Sequence, residues 1–182
     1  MDYFIVDDFV DRKICKKFQG YYHNQSIPLE YFCMSEEISN NIVDLIESKF
    51  SKTVYIDNWI TRPYLPNVQK NGMNMHVDNV DWFNQHLNKW IKVSDRLFTA
   101  MLMLNSNYTG GRFKLEDSYI EPKVGRLVLL RANIFHGVED ISSGIRFVKL
   151  FWYASSKKYD IFEDACVKNE YFYHKDNFYK NS

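Results

Sequence analysis

The apolar positions of this chain change period near residue 53, from helical spacing to the alternation of extended strands. Tyr3 to Val6 is a short aromatic and β-branched run that predicts an opening strand. Asp11 can cap a first helix whose apolar stripe is Ile14, Cys15 and Phe18. Residues 21–34 include Pro28 and show no clear period. Ser35, followed by Glu36 and Glu37, predicts the start of a second helix, because carboxylates suit the positive end of a helix dipole. Ile38, Ile42, Leu45, Ile46 and Phe50 then fall on one face.

Beyond Thr53, the residues Val54, Ile56, Trp59 and Ile60 predict a strand running to Pro63 and Tyr64, followed by a polar loop from Leu65 to Gly72. Asp81 to Lys92 carries Trp82, Phe83, Leu87, Trp90 and Ile91 and reads as a short helix or an aromatic lid. Trp82 and Trp90 could wall a substrate, but at helical spacing packing is the simpler role. Leu97 to Leu104 is an apolar run that ends in the turn signals of Asn105 to Gly111. Further strands are expected at Arg112 to Leu115, Ser118 to Ile120, Arg126 to Leu130 and Ile145 to Tyr153. Short strands between Gly, Asn and Ser turns predict a mainly β, double-sheet fold with N-terminal helices packed on one sheet. With no repeat or linker, one domain over residues 1–182 is expected: helical support at about 11–50, a core at about 53–154 and a tail at 155–182.

Charge and cysteine content narrow the function. Lys plus Arg and Asp plus Glu each total 23, so no net field draws the chain to nucleic acid or an anionic membrane. Lys13, Lys16 and Lys17 read as a solvated helix face. Cys15, Cys33 and Cys166 match neither zinc spacing nor a disulfide framework and suit reduced thiols in the cytoplasm. No signal peptide and no membrane-spanning apolar run is visible.

The chemistry concentrates in His76-Val77-Asp78, with His136 and Arg146 far along the chain. In a strand, residues i and i+2 share a face, so His76 and Asp78 can converge. A histidine from a distant strand would complete two imidazoles and a carboxylate on one face of a metal, the open-sided set of a non-heme Fe(II) oxygenase. Arg146 would offer a guanidinium fork to a carboxylate of the co-substrate, with Arg62 and Arg112 the next candidates. His23, His86 and His174 have no motif around them and read as surface or loop histidines. Gly110 and Gly111 read as a tight turn, since no helix start or lysine follows to make a phosphate cradle.

Several stretches, in order, resemble the 2-oxoglutarate/Fe(II)-dependent dioxygenases of the prolyl 4-hydroxylase-like group. They are Phe4 to Val10, Leu104-Asn105 with Tyr108 to Gly111, Pro122 to Leu130, and Gly144 to Arg146 with Trp152. The resemblance implies a double-stranded β-helix (jelly roll) with His76, Asp78 and His136 as iron ligands. It also implies that Arg146 holds the distal carboxylate of 2-oxoglutarate and that Tyr64 helps to fix it. O₂ would be the second co-substrate and ascorbate an optional reductant. The implied reaction is hydroxylation of a prolyl residue in a peptide or protein. A free amino acid or other small molecule as substrate, and a non-catalytic jelly-roll binding module, are the alternatives. The chain departs from the family at Val148 and Leu150, where hydroxyl residues are common, and at Met103, where some relatives have tyrosine.

Overall fold

A computed structural model describes residues 2–22, 28–66, 73–84 and 88–157. His23, His86, His174, Cys166, most of the 65–72 loop and the tail beyond residue 157 lie outside the described residues, as does the side chain of Trp90.

The chain opens with β1 (Tyr3–Val6), followed by α1 (Arg12–Tyr22) and α2 (Leu29–Phe50). Asp11 caps α1 as expected, its Oδ1 accepting from the Lys13 N–H at 2.6 Å. The second helix starts six residues earlier than the Ser35 signal suggested, directly after Pro28. Pro28 is extended (φ −73°) and ends the non-helical approach, and Ser35 lies inside the helix with its hydroxyl turned back to the Tyr31 carbonyl at 2.7 Å. Tertiary contact fixes this first turn: Tyr31 is buried edge-on against Phe18. Buried Lys149 donates to the Tyr31 hydroxyl at 2.9 Å and lies 4.3 Å from its ring centroid.

Then come β2 (Tyr55–Tyr64), β3 (Met73–His76), β4 (Trp82–Asn84), β5 (Lys89–Ile91) and β6 (Arg96–Met103). The remaining strands are β7 (Thr109–Gly110), β8 (Phe113–Leu115), β9 (Tyr119–Ile120), β10 (Leu127–Arg131), β11 (His136–Val138), β12 (Ile141–Ser143) and β13 (Arg146–Ala154). In place of the short helix, Trp82–Asn84 and Lys89–Ile91 pair antiparallel as the β4–β5 hairpin. The Asp81 carboxylate clamps its base by accepting from the N–H groups of Val93 (2.7 Å) and Ser94 (2.9 Å). Trp82 and Phe83 are 47% and 43% exposed, so the packing role expected for Trp82 does not hold.

The major sheet has the antiparallel order β1-β10-β6-β13-β2, and the minor sheet the order β3-β11-β8-β9. Strand alternation gives the major sheet two apolar faces. One face (Phe98, Leu102, Leu129, Phe151 and their neighbours) packs beneath Phe18, Ile42 and Ile46 of the helices. The other face (Met101, Met103, Leu130, Val148) meets Phe113, Leu115 and Val138 of the minor sheet. The site lies between the sheets on this second face. No helix among the described residues is long and apolar enough to cross a membrane.

One turn ties the two sheets at the site end. Gly110 has φ +76°, and a Cβ there would stand 2.1 Å from the Asp140 carbonyl oxygen. Gly110→Ala combines left-handed strain with a backbone clash that no side-chain motion relieves. It should cost at least about 2 kcal/mol, read as a lowered urea midpoint with an unchanged slope. An unchanged midpoint would show that the β7–β12 turn rearranges freely.

Candidate active site

His76 ends β3 and is the direct cross-strand partner of His136, which begins β11. Opposed residues of an antiparallel pair project to the same face, and the two imidazole centroids are 4.4 Å apart. Each ring is oriented by its own chain: the Nδ1 of His76 is 2.8 Å from the Asn74 carbonyl and the Nδ1 of His136 is 2.9 Å from that of Ile134. A carbonyl can only accept, so Nδ1 carries the proton and Nε2 is the atom available to a metal.

Asp78 reaches the same point by a different route from the one expected. The chain bends after His76, so the pair do not share one strand. The bend is pinned by the Asp78 N–H, which donates to the Ala132 carbonyl at 2.8 Å. The carboxylate then lies 3.5 Å from the His76 Nε2 and 3.4 Å from the His136 Nε2. One donor atom from each of the three residues falls within 4.8 Å of the others. Burial alone would raise the Asp78 carboxyl, but hydrogen bonds to His136, His76 and Thr99 hold it well below the ordinary carboxylate range. His76 moves the other way, up from its usual value, chiefly through its hydrogen bond with Asp78.

Thr99 and Tyr108 complete the surroundings, and neither was singled out from the sequence. The Thr99 hydroxyl donates to the Asp78 Oδ2 at 2.6 Å and orients the carboxylate. It is a lone hydroxyl within the apolar run from Leu97 to Leu104, which is the only local signal it gives. Tyr108 lies beside Arg146; burial raises its phenol pKa while the guanidinium pulls the other way.

Arg146 opens β13 opposite Tyr64 and is fully buried. One guanidinium nitrogen points at the Met101 sulfur at 3.0 Å, and the Cζ sits 4.9 Å from the Tyr64 ring centroid. Its Nε and Nη1 are buried with no hydrogen-bond acceptor. A buried cation with two idle donors is costly to the folded chain, and a carboxylate is the group that matches its geometry. Leu150 lines the same cavity and Val148 is buried between Met103 and Arg62 on the neighbouring strands, so the positions lacking hydroxyls make the surroundings of the guanidinium apolar. Gly111 lets the Arg146 stem approach, since a Cβ there would meet its Cδ at 3.2 Å.

A cavity of about 140 Å³ has His76, Asp78 and His136 together with Tyr64 and Arg146 in its wall. That is room for a small dicarboxylate and well beyond a single water. Arg112 takes no part, being tied outside the cavity to Glu139 at 2.7 Å and 2.6 Å and to Glu121 at 3.3 Å. The residues therefore fit a divalent metal at one end and an anionic, carboxylate-bearing ligand reaching the other.

Comparison with known proteins agrees with this geometry. Residues 64–154, half of the chain, match the 2OG-Fe(II) oxygenase superfamily. Among curated proteins no sequence matches. A collagen prolyl hydroxylase of Paramecium Bursaria Chlorella virus-1 has a similar structure, with a TM-score of 0.63 at 17% identity over 86% of this chain and 91% of that one. A Pseudomonas putida prolyl-4-hydroxylase gives 0.65 at 14% identity over 85% and 89%. HygX from Streptomyces hygroscopicus, solved with nickel and 2-oxoglutarate bound, gives 0.63 at 9% identity over 85% and 82%. These neighbours share the fold, a double-stranded β-helix flanked here by α1 and α2. By the match over residues 64–154, the chain belongs to the 2OG-Fe(II) oxygenase superfamily.

Proposed function

We propose that this protein hydroxylates a prolyl residue in a peptide or protein, with His76, Asp78 and His136 holding Fe(II). The observation that carries the oxygenase chemistry is one cavity with the His-Asp-His cluster and, in its wall, an Arg146 guanidinium whose Nε and Nη1 lack an acceptor. Iron and 2-oxoglutarate, when bound, supply the chemistry that puts one oxygen atom of O₂ into a substrate C–H bond and the other into succinate, with loss of CO₂. The chain's own groups do the positioning. Arg146 would receive the distal carboxylate of 2-oxoglutarate, and the Tyr64 ring braces the guanidinium from one side. Thr99 holds the Asp78 carboxylate, and the Asn74 and Ile134 carbonyls hold the two imidazoles. Met101, Leu150 and Leu130 keep water from the space between, which strengthens each charged contact.

The prolyl substrate is favoured because several fold neighbours are prolyl hydroxylases, among them one from Trichoplax adhaerens in complex with a hypoxia inducible factor peptide. A mass-spectrometric screen of proline-rich peptides and free amino acids, with Fe(II), 2-oxoglutarate and O₂, tests it. Gain of one oxygen on a prolyl ring, absent with His76→Ala, is the expected result. A gain confined to a free amino acid would replace the peptide reading with a small-molecule one. Unchanged product with His76→Ala would remove the metal assignment.

A further inference from the structure

Arg62 lies two residues before Tyr64 on β2, and so on the same cavity face of that edge strand, with Val148 as its cross-strand partner. Its Cζ is 5.0 Å from the Tyr64 ring centroid, and the Arg146 Cζ is 4.9 Å from that same centroid. Two guanidiniums thus flank one phenol in the wall of a single cavity. They differ in depth: Arg146 is fully buried, while Arg62 is only partly so. The triad is graded in the same sense, with the His76 side chain 34% exposed and that of His136 6%. The wall is therefore less closed on the side of His76 than on that of His136. Both carboxylates of 2-oxoglutarate already have partners in the proposed arrangement, one at the metal and one at Arg146. The Arg62 guanidinium is part of the wall that an incoming substrate meets.

We infer that Arg62 is a specificity-determining residue that receives a carboxylate of the substrate, so that the preferred prolyl substrate carries an acidic group beside the hydroxylated ring. This deepens the proposed function and rests on it. A fork of N–H donors at the wall favours a carboxylate over its amide by a charge-assisted hydrogen bond, and disfavours an ammonium by repulsion.

The test compares three peptides of one length in which the prolyl residue is followed by Glu, Gln or Lys, together with free proline and prolinamide. Parent, Arg62→Gln and Arg62→Glu proteins are assayed for product mass. Binding of the Glu and Gln peptides to the anaerobic Fe(II)/2-oxoglutarate protein is measured by tryptophan fluorescence. The parent should prefer Glu to Gln by about tenfold or more in kcat/KM and in affinity, with Lys poorest. Arg62→Gln should lose the preference, and Arg62→Glu should reverse it toward Lys. Equal binding of the Glu and Gln peptides by the parent overturns the inference. So does an order unchanged in Arg62→Glu, provided its thermal unfolding shows a folded protein. A rise in the 2-oxoglutarate KM of Arg62→Gln matching that of Arg146→Ala, with peptide order unchanged, would make Arg62 a co-substrate clamp and also overturn it. Oxidation of free proline and of no peptide would sink the peptide reading alone; Arg62 would then stand only if its variants erased a preference for proline over prolinamide.

Discussion

Arg146→Ala should retain its metal yet require a concentration of 2-oxoglutarate hundreds-fold higher or more for turnover. Removing one partner of a buried ion pair costs on the order of 3–5 kcal/mol, because the other charge is left in an apolar setting. The setting here is apolar: Met101 and Leu150 share the cavity wall with Arg146, and no hydroxyl at position 148 or 150 shares the load. Arg146→Lys should recover only part of the loss, since a point charge cannot reproduce two parallel hydrogen bonds. A second consequence is visible without co-substrate. The Nε and Nη1 groups have no acceptor in the ligand-free chain, so Arg146→Met should unfold at the parent's temperature or above it. Adding 2-oxoglutarate to the metal-loaded proteins should then raise the melting temperature of the parent further and leave that of Arg146→Met unmoved. Anaerobic titration of 2-oxoglutarate into the Fe(II) proteins, followed by metal-to-ligand absorption, measures the first effect and calorimetry the second. If Arg146→Ala binds 2-oxoglutarate like the parent, the carboxylate is held elsewhere, and Arg62 is the cation already in the same cavity wall.

Much of this architecture was legible before any coordinates, for an identifiable reason. Strands β6, β10 and β13 alternate between two buried faces, and such runs are set mainly by their own residues. The errors lie where tertiary contact outweighs local signal. Ser35 looks like a helix cap, but Tyr31, docked on Phe18 and Lys149, carries the helix back to Pro28. The spacing of Trp82, Phe83, Leu87, Trp90 and Ile91 looks helical, yet the Asp81 carboxylate closes a hairpin there. At the site, His76, Asp78, His136, Arg146 and Tyr64 are brought into one cavity wall as expected. The route to Asp78 was not visible, because the bend depends on Ala132, far away in the chain. Thr99 was hidden as a site group, and Arg62 was named only as a reserve partner for the co-substrate: a hydroxyl in an apolar run and an arginine in a strand acquire their place only from register. Thr99 lies across from Trp152, and Arg62 from Val148.

His136→Ala should lose nearly all iron binding and hydroxylation while keeping its fold. The imidazole is one of the three proposed ligands, and the cavity offers no fourth His, Cys, Asp or Glu among the described residues to replace it. The surrounding packing comes from other residues, Phe113, Leu115 and Val138 on one side and Met101 and Leu130 on the other. Metal affinity should therefore fall far more than the unfolding midpoint. The parent protein adds a pH signature whose sign follows from the site. Hydrogen bonding to Asp78 raises the His76 pKa, so a proton stabilises the metal-free fold at acid pH and is lost as pH rises through that raised value. Metal must displace this proton, so iron loading should weaken as pH falls from about 8 to about 5.5. Asp78 does not set that limit, because its lowered pKa keeps the carboxylate ionised across the range. Equilibrium dialysis of Fe(II) under anaerobic conditions reads both effects. Hydroxylation by His136→Ala at the parent's rate would end the triad assignment, and an iron affinity flat across that pH range would end the account of His76 as the competing base.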